Sequence, residues 1–161
     1  MKKSSRGFSL IELLIVVAII LIIAAIAIPN LLRSKIAANQ ASCVGSLRTI
    51  NTAEITYAST YNSGYSMLLD YIGPGAAGVN PTSTAAGLIP SDLALTGIHS
   101  GYGFAYSSAA TDASGRINQY QVTGTPVSTS TGTNYYFTDQ SGVIRQNTTA
   151  IAGSTDSAIG G

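Results

Sequence analysis

Residues 6–32 read "RGFSLIELLIVVAIILIIAAIAIPNLL", an apolar stretch that carries one carboxylate, Glu12, near its beginning. Every residue from 13 to 28 is apolar. An α-helix rises about 1.5 Å per residue, so the apolar residues 8–28 would cover roughly 30 Å, the thickness of the hydrocarbon core of a bilayer. The stretch therefore predicts a helix that is able to span a membrane.

An ordinary secretory signal peptide is an alternative interpretation of the same residues. Basic residues precede the run, and Ala25-Ile26-Ala27 matches the A-x-A cleavage pattern, so cleavage there would release a soluble protein beginning at Ile28. Against this alternative, the run is slightly longer than a usual signal-peptide core, and Glu12 lies inside it. An acidic side chain at the membrane centre costs about 2.5–3.5 kcal/mol, and less near an end. A discarded peptide has no evident reason to carry it.

The chain begins with a short basic leader that ends in Gly7, followed by Phe8, by Glu12 four positions later, and by an apolar segment that leads into Pro29. This beginning resembles that of a type IV prepilin or pseudopilin. The resemblance covers residues 1–60 well. Many pilins have a pair of cysteines near the C-terminus, and this chain, whose single cysteine is Cys43, does not.

The resemblance implies a processing step and a division of the chain. A prepilin peptidase would remove residues 1–7 as a leader peptide by cleaving between Gly7 and Phe8 on the cytoplasmic side, and Phe8 would be N-methylated. Residues 8–32 would remain as a transmembrane helix that later forms the filament core, and residues 33–161 would form the globular domain.

Glu12 is expected to take part in subunit assembly. Cleavage would create a cationic amine on Phe8 with an ordinary pKa of about 8, and a charge in an apolar interior must be paired or neutralised. In a filament built around a bundle of such helices, Glu12 of one subunit would pair with the Phe8 amine of a neighbour and set their register. The alternative is that Glu12 is tolerated at the membrane edge and pairs with the amine of its own chain.

Beyond the apolar run, the sequence predicts a kink and then an amphipathic helix. Pro29 lacks an amide hydrogen and clashes with the preceding turn, so a kink is expected there. Apolar residues then recur at spacings of three, four or seven: Leu32, Ile36, Cys43, Leu47, Ile50, Tyr57 and Tyr61. The other faces are expected to carry the polar residues Arg33, Lys35, Asn39, Ser46, Arg48 and Asn51. The apolar stripe needs a covering layer.

The C-terminal part supplies strands for that layer. Strand patterns occur in "GYGFAYS" (101–107), in "RINQYQVTG" (116–124), and in "TNYYFTDQSGVIRQ" (133–146), which reads as two strands around a turn. We therefore predict an α+β fold, in which the long N-terminal helix packs on a small antiparallel sheet of three or four strands. One or two short helices are expected within residues 63–100, and the small, polar tail, residues 148–161, is a candidate for disorder.

Aromatic residues at regular spacings are interpreted as core. Tyrosines or phenylalanines recur every four residues near the end of the helix and alternate along one strand: Tyr57, Tyr61 and Tyr65, and then Tyr102, Phe104 and Tyr106. A stacking platform for a ligand, or a path for electrons, is the less favoured alternative, because aromatic residues at these periods ordinarily supply buried area.

The remaining candidate residues also have structural interpretations. Cys43 is expected to be a buried thiol, and His99, the only histidine, a structural or solvated residue without a second metal ligand. The "DASG" (112–115) and "DQSG" (139–142) segments are expected to be turns, since further ligands of a calcium loop are missing.

Two sugar attachment sites are possible by pattern or composition alone. Asn147-Thr148-Thr149 fits the N-glycosylation pattern, which has many false positives, and the Ser/Thr-rich residues 123–134 are a compositional candidate for O-linked sugars.

Charge restricts the partners. Only 9% of the residues are charged, and the formal charge of +1 becomes −2 once Lys2, Lys3 and Arg6 leave with the leader, since five basic residues then face seven acidic ones. Without a basic cluster, nucleic acid is not supported as a partner. The resemblance implies other partners: identical subunits, the prepilin peptidase, the pilus assembly machinery, and the inner membrane before assembly.

No pattern of catalysis appears in the sequence. A phosphate-binding loop, an activated nucleophile and paired carboxylates are all missing, so we expect no enzyme, metal or cofactor. The predicted function is that of a structural subunit of a type IV pilus-like extracellular filament, held in the inner membrane by a single helix and then displayed on the cell surface. A minor pilin or a type II secretion pseudopilin is the alternative within this class. A soluble secreted binding domain, released after Ala27, is the alternative outside it, and a surface enzyme is a weaker third.

Overall fold

One long helix, α1 (Leu10–Tyr61), begins the computed structural model, which describes residues 8–160. The helix continues through Pro29 without an interruption in its assignment. The chain divides into two compact units, one ending at Lys35 and the other formed by residues 36–161. The apolar part of α1 lies in the first unit, and the amphipathic part lies in the second.

The amphipathic part of α1 buries a wider stripe than the sequence predicts. The stripe is confirmed at Cys43, Leu47, Ile50 and Tyr57, whereas Leu32 is exposed. The full set of buried positions on α1 is Cys43, Ser46, Leu47, Ile50, Asn51, Ala53, Glu54 and Tyr57. The expectation that Ser46 and Asn51 occupy polar outer faces is therefore wrong, and the reason for Asn51 is a set of buried hydrogen-bond partners described below.

Six strands form the sheet within the described residues. They are β1 (Ile98–His99), β2 (Tyr102–Ser108), β3 (Tyr120–Pro126), β4 (Tyr135–Asp139), β5 (Arg145–Asn147) and β6 (Ser157–Ala158). Each strand pairs antiparallel with the next in the chain, so the sheet is a meander in the order β1 to β6. The α+β class is confirmed.

The predicted count of three or four strands is too low. The two additional strands, β1 and β6, lie at the sheet edges and have two residues each, too few to show an alternating pattern. Strand β1 is positioned by a tight turn instead. Ser100 and Gly101, between the paired His99 and Tyr102, both have positive φ (50° and 76°), as a two-residue type I′ hairpin turn requires.

Strand β3 begins four residues later than predicted, because Ile117 pairs outside the sheet. The Tyr65 amide donates to the Ile117 carbonyl (2.8 Å), and the Ile117 amide donates to the Ser63 carbonyl (3.1 Å). Gly64 lies between these two bonds with φ of +79°, and a Cβ atom there would overlap the Ile117 carbonyl oxygen. Glycine is therefore required at this close approach.

The core lies between the second half of α1 and the inner face of the sheet. Side chains alternate along the central strands, so that Tyr102 and Phe104 of β2 and Tyr120 and Val122 of β3 point to the helix and are buried. Opposite Cys43, Gly124 keeps the sheet close to α1, since a Cβ atom on it would lie 2.7 Å from the Cys43 Sγ. The prediction that the amphipathic half of α1 packs on an antiparallel sheet is confirmed.

The connecting segments also have regular structure. A short 3₁₀ helix (Leu69–Ile72) and one π-helical turn (Asp92–Thr96) lie between α1 and β1, as expected. The C-terminal residues, a candidate for disorder on composition, add β6 to the sheet and bury Ala152.

We expect a fragment beginning at residue 33 to be soluble, monomeric and folded, because the core cluster lies entirely within residues 36–161. Circular dichroism should show both helix and strand, and sedimentation should show a monomer. A disordered fragment, or one that forms filaments without the apolar segment, would contradict this architecture.

Candidate assembly site and buried polar clusters

The first turn of α1 contains the carboxylate that the sequence singles out. The Ser9 carbonyl accepts the first helical hydrogen bond, from the Leu13 amide (3.2 Å). The Ser9 amide in turn donates to Glu12 Oε2 (2.9 Å). This is the Glu half of a capping box, in which the third helical residue satisfies an amide at the helix start. Glu12 thus has an intramolecular role that the sequence analysis did not identify.

Within residues 8–160, the apolar part of α1 around Glu12 contains no buried residue. All large apolar side chains from residue 8 to residue 32 are 45–79% exposed. Such a surface is far larger than the patches that soluble monomers leave open. Within the part of the chain that the structure describes, α1 is the one helix that is long and apolar enough to cross a membrane.

The other predicted assembly residues keep their status as predictions. Gly7 lies outside the described residues, and Phe8 is 74% exposed at the start of the described chain. Cleavage between them, methylation of Phe8, and a kink at Pro29 are expectations that nothing in this geometry tests.

A buried carboxylate, Glu54, is a feature that the sequence analysis missed. It is fully buried on α1, where Oε2 accepts from the Ser66 amide (2.8 Å) and Oε1 accepts from the Ser66 hydroxyl (2.5 Å). The Tyr106 hydroxyl donates to the Ser66 carbonyl (2.7 Å). Burial raises the pKa of Glu54, and the hydrogen bonds from Ser66 partly oppose that rise. The helical position of Glu54, three residues before buried Tyr57 and four after buried Ile50, is the signal that could have identified it.

Asn51 forms a second buried polar cluster, one helical turn before Glu54. Its amide nitrogen donates to Thr138 Oγ1 (2.9 Å) and to the Gly142 carbonyl (3.3 Å), while its oxygen accepts from the Tyr120 hydroxyl (2.9 Å). Buried polar groups are tolerated when they are fully hydrogen-bonded. Among the described side chains, every buried nitrogen and oxygen has a partner. The two clusters thus join α1 to β3, to β4 and to the segment after α1.

The aromatic residues and the cysteine are part of the core, as expected. Tyr57, Tyr102 and Phe104 are buried in the core cluster, and Tyr61, Tyr65 and Tyr106 pack against it. Cys43 is fully buried, and burial raises the pKa of its thiol to about 12. A thiol with such a pKa is almost entirely protonated near neutral pH and is a poor nucleophile.

His99 is paired with a carboxylate on the protein surface. His99 Nδ1 lies 2.6 Å from Asp92 Oδ2, and both side chains are substantially exposed. The hydrogen bond with His99 lowers the pKa of Asp92. Within residues 8–160, no three His, Cys, Asp or Glu side chains come together as metal ligands.

The "DASG" (112–115) and "DQSG" (139–142) segments are turns, as predicted. Asp112 Oδ1 accepts from the amides of Ser114 (2.8 Å) and Arg116 (3.0 Å), and Asp139 Oδ1 accepts from the Ser141 amide (2.9 Å). The carboxylates are thereby used to close their own loops.

Asn147, in the N-glycosylation pattern, uses its side chain to hold the C-terminal segment. Its amide nitrogen donates to Asp156 Oδ1 (3.0 Å), and its oxygen accepts from the Thr149 amide (2.9 Å). A sugar on this nitrogen would disrupt the contact with Asp156. In the 123–134 segment, Ser128 and Ser130 are exposed, and their hydroxyls form a hydrogen bond with each other (2.8 Å). O-linked modification of this segment stays a prediction.

Comparison with known proteins agrees with the geometry of the N-terminal segment. Residues 2–28 match the family described as "Prokaryotic N-terminal methylation motif". The chain is similar to the type IV major pilin protein PilA of Myxococcus xanthus, with 47% identity over 55 residues, which is 34% of this chain and 25% of that protein. It is also similar to the type IV wide pilus major component PilA4 of Thermus thermophilus, with 60% identity over 37 residues, or 23% of this chain and 28% of that protein.

These similarities cover a limited part of each protein. The aligned segments span about a quarter of the length of the two relatives. No solved structure matches the chain with a significant score. The resemblance of the N-terminal segment to the type IV prepilin class is confirmed, and what the whole chain does is a matter for inference.

Proposed function

We propose that the chain is a structural subunit of a type IV pilus-like extracellular filament, assembled through its apolar N-terminal helix. The observation that carries this proposal is the exposed apolar part of α1, with its single carboxylate in the first turn and the methylation motif over the same residues. Both similar proteins are named as major components of type IV pili. The proposed role is structural and not enzymatic.

The exposed apolar side chains of such a filament subunit would be removed from water in two different ways, one before assembly and one after it. Before assembly, residues 8–32 would anchor the chain in the inner membrane as a single span, because lipid removes their side chains from water. After assembly, the same side chains would pack against identical helices in the filament core. Residues 33–161 would then be displayed on the cell surface.

The same proposal includes two further partners of the chain, a prepilin peptidase and the pilus assembly machinery. A prepilin peptidase would remove residues 1–7, and the new Phe8 amine would lie about one helical turn from Glu12. The capping bond uses Glu12 Oε2, and a carboxylate has lone pairs for further donors. Glu12 is therefore able to cap its own helix and to accept from the Phe8 amine of a neighbouring subunit.

We expect the mature chain to begin at Phe8 with a methylated amine. Intact-mass measurement and N-terminal sequencing of the membrane fraction test this, because the mass should equal residues 8–161 plus one methyl group. A chain beginning at Ile28 would favour the soluble secreted domain instead.

Electron micrographs of cells with and without the gene should show filaments only where the processed chain is present. If cells without the gene have unchanged filaments, the chain is not a major filament subunit.

A further inference from the structure

The outer face of the sheet, which is turned away from α1, carries an open cleft of about 680 Å³. Its floor follows the register of the central strands. Ser107 on β2 pairs with Gln121 on β3, which pairs with Asp139 on β4, and all three line the cleft. Thr123 and Phe137, the next outward pair across β3 and β4, also line it.

The C-terminal segment forms one wall of the cleft. Ala152, Gly153 and Ser154 line it, and Ala152 is buried together with Phe137 although neither belongs to the core cluster beneath the sheet. This part of the chain therefore covers a portion of the outer sheet face.

Asp156 fixes that wall in position. Its Oδ2 accepts from the Gly153 amide (2.8 Å), and its Oδ1 accepts from the Asn147 side chain (3.0 Å). Its carbonyl accepts from the Arg145 guanidinium (2.9 Å). The wall is thus held to β5 through Arg145 and Asn147, and a ligand would meet a preformed site.

The lining is unusual for a ligand cleft because it is mainly polar. Most clefts are apolar with a few polar groups, whereas the residues that line this one include Ser107, Thr123, Ser154, Gln119, Gln121 and Gln140. Hydroxyls and amides both donate and accept hydrogen bonds. Among the described residues that line the cleft, Asp139 is the only charged one.

These properties exclude several kinds of ligand. No lysine or arginine lines the cleft, so a phosphate or a nucleic acid backbone would meet a carboxylate without a cation. One carboxylate is too few for a calcium site. An extended peptide that binds by β-augmentation adds to a sheet edge, whereas this cleft lies on a sheet face.

We propose that this cleft binds a neutral, polyhydroxylated ligand, namely a segment of an uncharged oligosaccharide. Each sugar hydroxyl is both a donor and an acceptor, which matches the amides and hydroxyls of the floor, while the Asp139 carboxylate accepts from a hydroxyl without needing a charged partner. The volume lies within the range of about 300–1,000 Å³ that is typical of ligand sites. This inference concerns a single subunit and does not depend on filament assembly.

The test uses the full mature chain in a zwitterionic detergent, because detergents with sugar headgroups would compete. The probes are immobilised neutral oligosaccharides, with sialylated and sulfated glycans as charged counterparts. We expect retention of neutral glycans and not of the charged ones. Gln121→Ala should weaken binding about tenfold, the effect of roughly 1.4 kcal/mol of lost hydrogen bonding. Gln146→Ala, on β5 outside the cleft, should leave affinity within about twofold of the parent.

A second pair of variants tests the cleft by filling it. Gly153 lines the cleft, has no positive φ, and has nothing within 4 Å of a Cβ position, so Gly153→Phe should block binding without changing thermal unfolding. Gly45→Phe is the matched control, because Gly45 on α1 also has open space at its Cβ position. The proposal is overturned if no neutral glycan is retained, if charged glycans bind better, or if Gly153→Phe binds as the parent does.

Discussion

Cells that carry Glu12→Leu should make a processed, membrane-inserted chain and almost no filaments. Insertion should be as good as in the parent or better, because a buried acidic side chain has been removed. Assembly should fail, because the Phe8 amine would enter the apolar filament core without its carboxylate. An uncompensated buried charge costs about 3–5 kcal/mol, which lowers an association constant by a factor of about 100 or more.

The capping contact between Glu12 and the Ser9 amide makes Glu12→Gln the informative second variant. Glutamine can replace glutamate in a capping box, so this variant keeps the helix cap and loses only the charge. If charge pairing directs assembly, Glu12→Gln should fail as Glu12→Leu does, and Glu12→Asp should be intermediate on its shorter arm. If capping is the only role, Glu12→Gln should assemble normally.

The measurement is filament yield divided by the amount of correctly cleaved chain in the membrane, for each variant. This ratio separates assembly from insertion and processing. Normal filament yield from processed Glu12→Leu would show that the carboxylate is tolerated at the membrane edge and does not direct assembly.

Glu54→Ala should destabilise the globular fragment beginning at residue 33 by about 2–4 kcal/mol. The substitution removes the acceptor of the buried Ser66 amide and leaves a space between α1 and the segment after it. A buried donor without a partner costs about 1–3 kcal/mol, and a cavity adds to this. Glu54→Gln should be milder, because its oxygen can still accept from that amide.

The stability of the fragment should also depend on pH through Glu54. Burial raises the pKa of this carboxyl above its ordinary value of 4.5, so the folded state binds a proton that the unfolded state has released. The stability that this proton provides is fully present below about pH 4.5 and is lost as pH rises through the folded-state pKa. Asp92 and Asp112, whose pKa values are lowered from 3.8, act in the opposite direction and only below about pH 4.

Urea unfolding between pH 4.5 and 8 should therefore show the parent losing stability relative to Glu54→Gln as pH rises. Subtracting the free energy of unfolding of Glu54→Gln from that of the parent at each pH removes the contributions of the groups that the two proteins share. Asp70→Asn is the matched control, because it replaces an exposed acid by its amide in the same way. Parallel profiles for the parent and Glu54→Gln would contradict a raised pKa in the folded state.

The sequence alone determined the apolar N-terminal helix and the class of the fold. An uninterrupted apolar run has few stable states, so residues 10–28 predict a membrane-competent helix from local pattern only. Strands β2, β4 and β5 were also predictable, because alternation and Asp-Gly turns are local signals. The prepilin motif at Gly7, Phe8 and Glu12 was likewise recognisable from the sequence, because its residues lie close together in the chain.

Tertiary structure decided what depends on distant partners. Glu54 and Asn51 are polar residues, and their burial depends on Ser66 and Thr138, 12 and 87 residues away, which supply their hydrogen bonds. The two-residue edge strands have no pattern of their own and exist because a neighbour offers unpaired amides and carbonyls. The row of Ser107, Gln121 and Asp139 arises from strand register, which sets side chains far apart in the chain beside one another. Local periodicity reports which face of an element is apolar, whereas the burial of a polar group is set by partners that only the folded chain brings within reach.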